Sequence, residues 1–285
     1  MLYNVREKSF PDGLIQSTFS KNFRYKGKRK NLGGPAAHGS GLSIERKEID
    51  NMKRAKQMVW DLGRANHFDW WLTLTFSPEQ VDDRSDYKCC SDALKKFTRY
   101  LYDHRCRWLL VPDWDSHDGV HFHGLFSGDL KFVRAYSPYT GKPLFDNHGR
   151  PCYNIADYKL GFTSAVPLDG SPAVITYLTQ YYTKNRKMQV PKGCKRYWAS
   201  RNLIRPAVSY DLRDMMDFLR LRYAGSSFAK NMKSPFGDMI FAETTDDQVM
   251  AQLERMGREE AGTYPTQQNK DYFEADDSAP PFCWR

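Results

Sequence analysis

No stretch of this sequence approaches the roughly 20 apolar residues that a membrane helix needs, and the opening Met1-Leu2-Tyr3-Asn4-Val5-Arg6-Glu7 lacks the apolar core of a signal peptide. A cytoplasmic protein is therefore expected. The six cysteines (Cys89, Cys90, Cys106, Cys152, Cys194, Cys283) form no C-x-x-C pair and are not gathered in a small segment, which argues against a zinc site or a disulfide framework and leaves free thiols. No G-x-x-x-x-G-K-[ST] loop occurs, so no fused helicase is expected. Internal repeats are also absent.

Acidic residues are in deficit: 43 Lys and Arg stand against 34 Asp and Glu, and the resulting +9 favours a polyanionic partner, with a membrane surface as the weaker alternative. The chain holds 17 Tyr, 17 Phe and 7 Trp interleaved with basic residues, a mixture that can both track phosphates and stack unpaired bases. Its 285 residues suffice for one large domain, or for a catalytic domain with a smaller appendage.

Along the chain, the basic run Lys21 to Lys30 followed by Gly33-Gly34-Pro35 and Gly39-Ser40-Gly41 reads as an arm and linker over residues 1–42. Ser43 can cap a helix to about Asn66, with Ile49, Met52, Ala55, Val59 and Leu62 at three- and four-residue intervals. Alternation makes Trp70 to Phe76 a strand, and Ser91 to about His104 carries a helical stripe of Leu94, Phe97 and Leu101. Trp108 to Val111 and Val120 to Phe126 read as an antiparallel hairpin; residues 136–152 as an exposed excursion; Tyr153 to Val166 as a further strand region. Ser171-Pro172 opens a helix as N-cap and first-turn proline, running to about Lys187. Helices are expected around Asp211 to Tyr223 and Asp246 to Glu260, a helical extension over 207–261, before a polar tail over 262–285 that reads as disordered.

Two clusters carry chemistry. On a strand, His121 and His123 send both imidazoles to one face while Val120, Phe122 and Phe126 take the other. Asp113 ends the preceding strand, where the hairpin would set its carboxylate beside His121; Asp115 and His117 in the loop are the alternatives for a third ligand. Two imidazoles and a carboxylate with open positions suit a divalent ion that also holds a phosphate. On a helix, Tyr177, Tyr181 and Lys184 fall within about 60° of one another, whereas Val174, Ile175, Leu178 and Tyr182 form a neighbouring apolar stripe. A phenol titrates near 10 and needs a neighbouring cation to act as a nucleophile at neutral pH, which Lys184 supplies in part. Arg186, Lys187, Lys192, Lys195 and Arg196 form a basic stretch suited to a DNA backbone.

Taken in order, these segments resemble the HUH endonucleases, the rolling-circle replication initiators of filamentous phages, microviruses and small plasmids. Thr73-Leu74-Thr75-Phe76 is similar to the family's first motif, His121-Phe122-His123 to its histidine–hydrophobic–histidine signature, and Tyr181-Tyr182-Thr183-Lys184 to its Y-x-x-K, with Tyr177 supplying the second tyrosine. The flanks Ile44 to Asn66, Gly161-Phe162 and Tyr197 to Leu203 also resemble it, so the likeness spans about residues 43–206. Where the family commonly has a glutamate, eight residues before the first histidine, this chain has Asp113. The resemblance implies an α+β fold with a central, about five-stranded antiparallel sheet and packed helices, Mg²⁺ or Mn²⁺ as cofactor, and a DNA nickase and strand transferase that forms a 5′-phosphotyrosine. It also implies single-stranded DNA at a replication origin as partner, a host helicase and polymerase beside it, and the host cytoplasm as the setting. A transposase or relaxase using the same chemistry, and a non-catalytic module that only binds single strands, are the competing readings.

Overall fold

A computed structural model describes residues 1–27, 41–116, 119–184, 190–191, 193–233 and 237–260, without the side chains of 41–46, 183–184 and 258–260. In chain order its elements are β1 (Leu2–Ser9), β2 (Leu14–Tyr25), α1 (Gly41–Arg64), β3 (Trp70–Thr75), α2 (Tyr87–Asp103), β4 (Arg107–Trp114), β5 (Val120–Ser127), β6 (Phe132–Arg134), β7 (Tyr153–Ile155), β8 (Thr163–Pro167) and α3 (Ala173–Lys184). There follow β9 (Trp198–Ala199), β10 (Ala207–Asp211), α4 (Met215–Phe218) running into a π-helical turn (Leu219–Tyr223), β11 (Phe228–Met232), β12 (Met239–Thr245) and α5 (Asp246–Glu260). The fold is α+β, and its described residues form two compact units, one from Met1–Leu32 with Pro206–Arg285 and one from Gly33–Arg205. No helix among the described residues is long and apolar enough to cross a membrane.

The Gly33–Arg205 unit is built on a seven-stranded antiparallel sheet in the order β6-β7-β8-β3-β5-β4-β9, two strands more than the five expected. The extra strands are short: β6 and β9 have three and two residues, too few to show alternation in the sequence. Period two divides the sheet's side chains. Leu72, Leu74, Trp108, Leu110, Phe122 and Phe126 face α2, whose Cys90, Leu94, Phe97 and Leu101 stripe completes that core. Leu109, Val111 and Leu125 face the other way, against Ala55, Val59 and Leu62 of α1 and Ile175, Leu178 and Tyr182 of α3. Asp86 caps α2 by accepting from the backbone N–H of Lys88 and Cys89, so that helix starts four residues earlier than the Ser91 read from the sequence. Ser171 caps the first turn of α3 through its hydroxyl, 3.3 Å from the Ala173 nitrogen.

The other unit departs from expectation. In place of a basic arm, residues 2–25 form the hairpin β1–β2, and in place of a purely helical extension, residues 207–245 contribute β10, β11 and β12. Together they make an antiparallel sheet ordered β10-β1-β2-β12-β11. Val5, Phe19, Phe218 and Ile240 form its small core. The pairing that makes strands of these segments is remote in sequence, Val5 opposite Asp211 and Phe19 opposite Ile240, while serines and a lysine interrupt the apolar alternation of β2. The expected disordered tail over 262–285 lies outside the described residues.

This unit buries an ion pair. Arg222 Nε donates to Glu7 Oε1 at 2.6 Å, the Ser17 hydroxyl adds a bond at 3.1 Å, and both charged side chains are about nine-tenths buried. Burial alone would raise the Glu7 carboxyl, but the hydrogen bond and charge of Arg222, with Arg213 behind it, hold it below the ordinary 4.5. The stabilisation is therefore complete above about pH 4.5 and is lost as the pH falls through the lower, folded value. Glu7→Ala strands a buried guanidinium and is expected to cost about 3–5 kcal/mol at neutral pH, with the gap to the parent narrowing on acidification. Denaturant melts across pH check both parts.

Candidate active site

The site lies on the face of the seven-stranded sheet that carries α1 and α3. In the β4–β5 hairpin the register sets Asp113 opposite His121 and Val111 opposite His123, so the carboxylate and both imidazoles share one face. A tight connection fixes that register: the Asp115 N–H donates to the Gly119 carbonyl, and Asp115 Oδ1 accepts from the Gly119 nitrogen at 2.8 Å. Asp115, engaged there and with Arg84, is outside the cluster, and His117 lies outside the described residues. Among the described residues the only group of three possible ligands is Asp113, His121 and His123, with ligand atoms all within 4.8 Å of one another.

The protonation pattern suits a cation. His121 Nδ1 lies 3.3 Å from the Gly119 carbonyl, which can only accept, so Nδ1 is the donor in that contact and Nε2 is left facing the cluster. His123 Nδ1 is engaged by the Thr73 hydroxyl at 3.1 Å, again leaving Nε2 toward the cluster. The two Nε2 atoms stand 3.6 and 3.7 Å from Asp113 Oδ2, beyond hydrogen-bonding range. Burial, with the neighbouring His121 adding to it and Asp113 opposing it, pushes His123 down to about 3, so the ring is neutral and able to ligate at physiological pH. The three side chains are only 13–15% exposed. Thr73 orients the His123 ring from behind; if the cluster holds Mn²⁺, Thr73→Val, which keeps the side chain's shape, is expected to weaken that binding about 10- to 100-fold in a calorimetric titration.

The tyrosines meet this cluster from α3. The Tyr181 ring stacks on the His123 imidazole with centroids 4.5 Å apart and planes 17° from parallel. Its hydroxyl donates to that of Tyr177 at 3.1 Å. Burial raises the Tyr181 phenol well above 10, and the Tyr177 hydrogen bond, the Tyr177 charge and the Asp113 charge push it further, so Tyr181 is protonated at neutral pH. Tyr182, as its place on the helix suggests, is core: it is buried and donates to the Arg196 carbonyl at 2.7 Å. Tyr177 is 45% exposed.

Lys184 is the last residue of α3, and its side chain is outside the described residues, as are Arg186, Lys187 and Lys192. Two of the basic stretch are described, and both are engaged within the protein. Arg196 is paired with Glu48 and is 16% exposed, while the Lys195 ammonium sits 4.4 Å over the Trp198 ring. Trp71 joins the site without belonging to any motif. Its indole lies 5.7 Å from His123, 5.4 Å from Tyr177 and 6.4 Å from Tyr181, forming the floor between ligands and phenols. The alternation of β3 held the clue: with Thr73 opposite His123 and Thr75 opposite His121, Trp71, Thr73 and Thr75 must share the histidines' face.

Comparison with known proteins finds no match among curated proteins and none among solved structures. Residues 69–186, less than half of the chain, match the family model of the replication-associated protein ORF2. That segment runs from β3 to the end of α3 and contains Asp113, His121, His123, Tyr177 and Tyr181. The chain is thus similar over its site-bearing segment to replication-associated proteins, and the match supports a replication-initiator role and, with it, DNA binding.

Proposed function

We propose that this chain initiates rolling-circle replication as a metal-dependent DNA nickase and strand transferase. The observation that carries the proposal is the stack of Tyr181 on His123, which puts a phenol directly beside three converging ligand atoms. His121, His123 and Asp113 would hold Mg²⁺ or Mn²⁺, which when bound would draw charge from a non-bridging phosphate oxygen and make phosphorus more electrophilic.

The chain's own groups do the rest. Tyr181 Oη attacks the phosphorus of a single-stranded phosphodiester, the bond to the 3′ oxygen breaks, and the phenolic proton is transferred in balance to that leaving oxygen. A 5′-phosphotyrosine and a free 3′ hydroxyl result, the latter a primer for a host polymerase. Tyr177, hydrogen-bonded to Tyr181, is the group available for a second transesterification while the first tyrosine is occupied. Lys184, one helical turn after Tyr181 in the sequence, is the residue proposed to supply positive charge during the transfer. Strand separation falls to a host helicase or supercoiling, and the setting is the host cytoplasm. The match to replication-associated proteins favours an initiator over a transposase or relaxase.

The test is direct. The protein is incubated with end-labelled single-stranded origin DNA and Mn²⁺, with and without chelator, and resolved on a denaturing gel. A labelled, protein-sized band that chelator removes is the expected result. Tight DNA binding without that band would leave the non-catalytic binding module as the answer.

A further inference from the structure

Phe162 is 78% exposed, yet its backbone is tied to β3. The Phe162 carbonyl accepts from both the N–H and the hydroxyl of Thr75, at 2.9 and 2.8 Å. Gly161 before it has a φ of +155°, and a Cβ there would come within 2.5 Å of the Thr75 carbonyl oxygen and 2.6 Å of the Ser77 nitrogen. Glycine is thus required for the chain to press against β3 and turn Phe162 outward. A phenyl ring left in water on so fixed a support is more than a stray apolar side chain on a mobile loop.

Register says where it points. β3 pairs with β8 through Leu74 opposite Thr163, and the Thr75 to Phe162 hydrogen bond continues that ladder by one step. Thr75 in turn lies opposite His121, and His121 opposite Asp113. Phe162, Thr75, His121 and Asp113 therefore form one row across four strands. Alternation agrees, since Val166, four residues on, packs with Trp71 on this face. Strands lie about 4.8 Å apart, so the Phe162 backbone stands about 10 Å from that of His121.

We propose that Phe162 forms a nucleobase subsite, stacking one unpaired base of the strand whose phosphodiester lies at the Asp113, His121 and His123 cluster. The subsite rests on the nickase reading above, which supplies the strand. An aromatic face suits any base, so the contact adds affinity and holds the strand along the row without choosing a sequence. The β8 side of this sheet face becomes the side on which the DNA lies, and Tyr181 approaches from α3.

The test is an affinity cycle run with chelator, so that binding is read without cleavage. The probes are a fluorescent 20-nucleotide oligothymidylate and a base-free sugar-phosphate strand of the same length. Phe162→Ala is expected to bind the oligothymidylate about tenfold more weakly and the base-free strand as the parent does, with Phe162→Trp restoring the loss. Equal affinity of Phe162→Ala and parent for oligothymidylate overturns the subsite, as does equal weakening on both probes. The adduct assay on the parent protein is scored separately: a parent without adduct sinks the nickase reading, whereas a parent that forms adduct but shows no coupling to bases sinks the subsite alone. Unchanged melting of Phe162→Ala, expected for so exposed a side chain, excludes misfolding.

Discussion

Tyr181→Phe is expected to lose the covalent DNA adduct, with cleavage falling by at least about a thousandfold, because the substitution removes the oxygen proposed to attack and leaves the ring stacked on His123. Stability should change little, since only the hydroxyl contact with Tyr177 is lost, worth about 1 kcal/mol. Tyr177→Phe keeps the nucleophile and should still form adduct in a single turnover, while failing in assays that need a second strand transfer. The double variant should be inert. Quantifying adduct per protein molecule with a suicide oligonucleotide separates these cases; undiminished adduct from Tyr181→Phe would move the nucleophile elsewhere.

The second large effect concerns the ligands. His121→Ala, His123→Ala or Asp113→Ala each removes one of three converging donors, and a bound cation contributes several kcal/mol to the charge that develops at phosphorus. At 1.36 kcal/mol per tenfold, cleavage should drop by about 10²- to 10³-fold, while single-strand affinity measured with chelator stays near the parent's. Asp113→Ala is the sharper probe. It also removes the carboxylate that both histidines face, so if its cleavage rate and metal affinity matched the parent's, the third donor would have to come from another residue.

Much of this site could be read from local periodicity. A period of two puts His121 and His123 on one side of β5, and a period of 3.6 separates Tyr182 from Tyr177 and Tyr181; both patterns act over a few residues, and neighbours alone dictate them. The choice of Asp113 over Asp115 needed the hairpin's register, since either residue is close enough along the chain. Trp71 and Phe162 became visible only when β3 was placed between β5 and β8, because nothing in an isolated strand says which face the partner strands will load. Arg196 shows the same limit in charge: within a basic stretch it looks free for DNA, but Glu48, far away in α1, claims it. The β1–β2 hairpin was hidden for a related reason. Its strands gain their partners from residues about two hundred positions later, and a run of lysines looks like an arm until those partners are known.

The most direct measurement is to digest the protein–DNA adduct and locate the nucleotide-bearing residue by tandem mass spectrometry. The 5′ nucleotide should be found on Tyr181 in first-turnover material, and on Tyr177 as well only after a second transfer. Finding it on a residue outside α3, or finding cleaved DNA with no nucleotide left on the protein, would contradict the account.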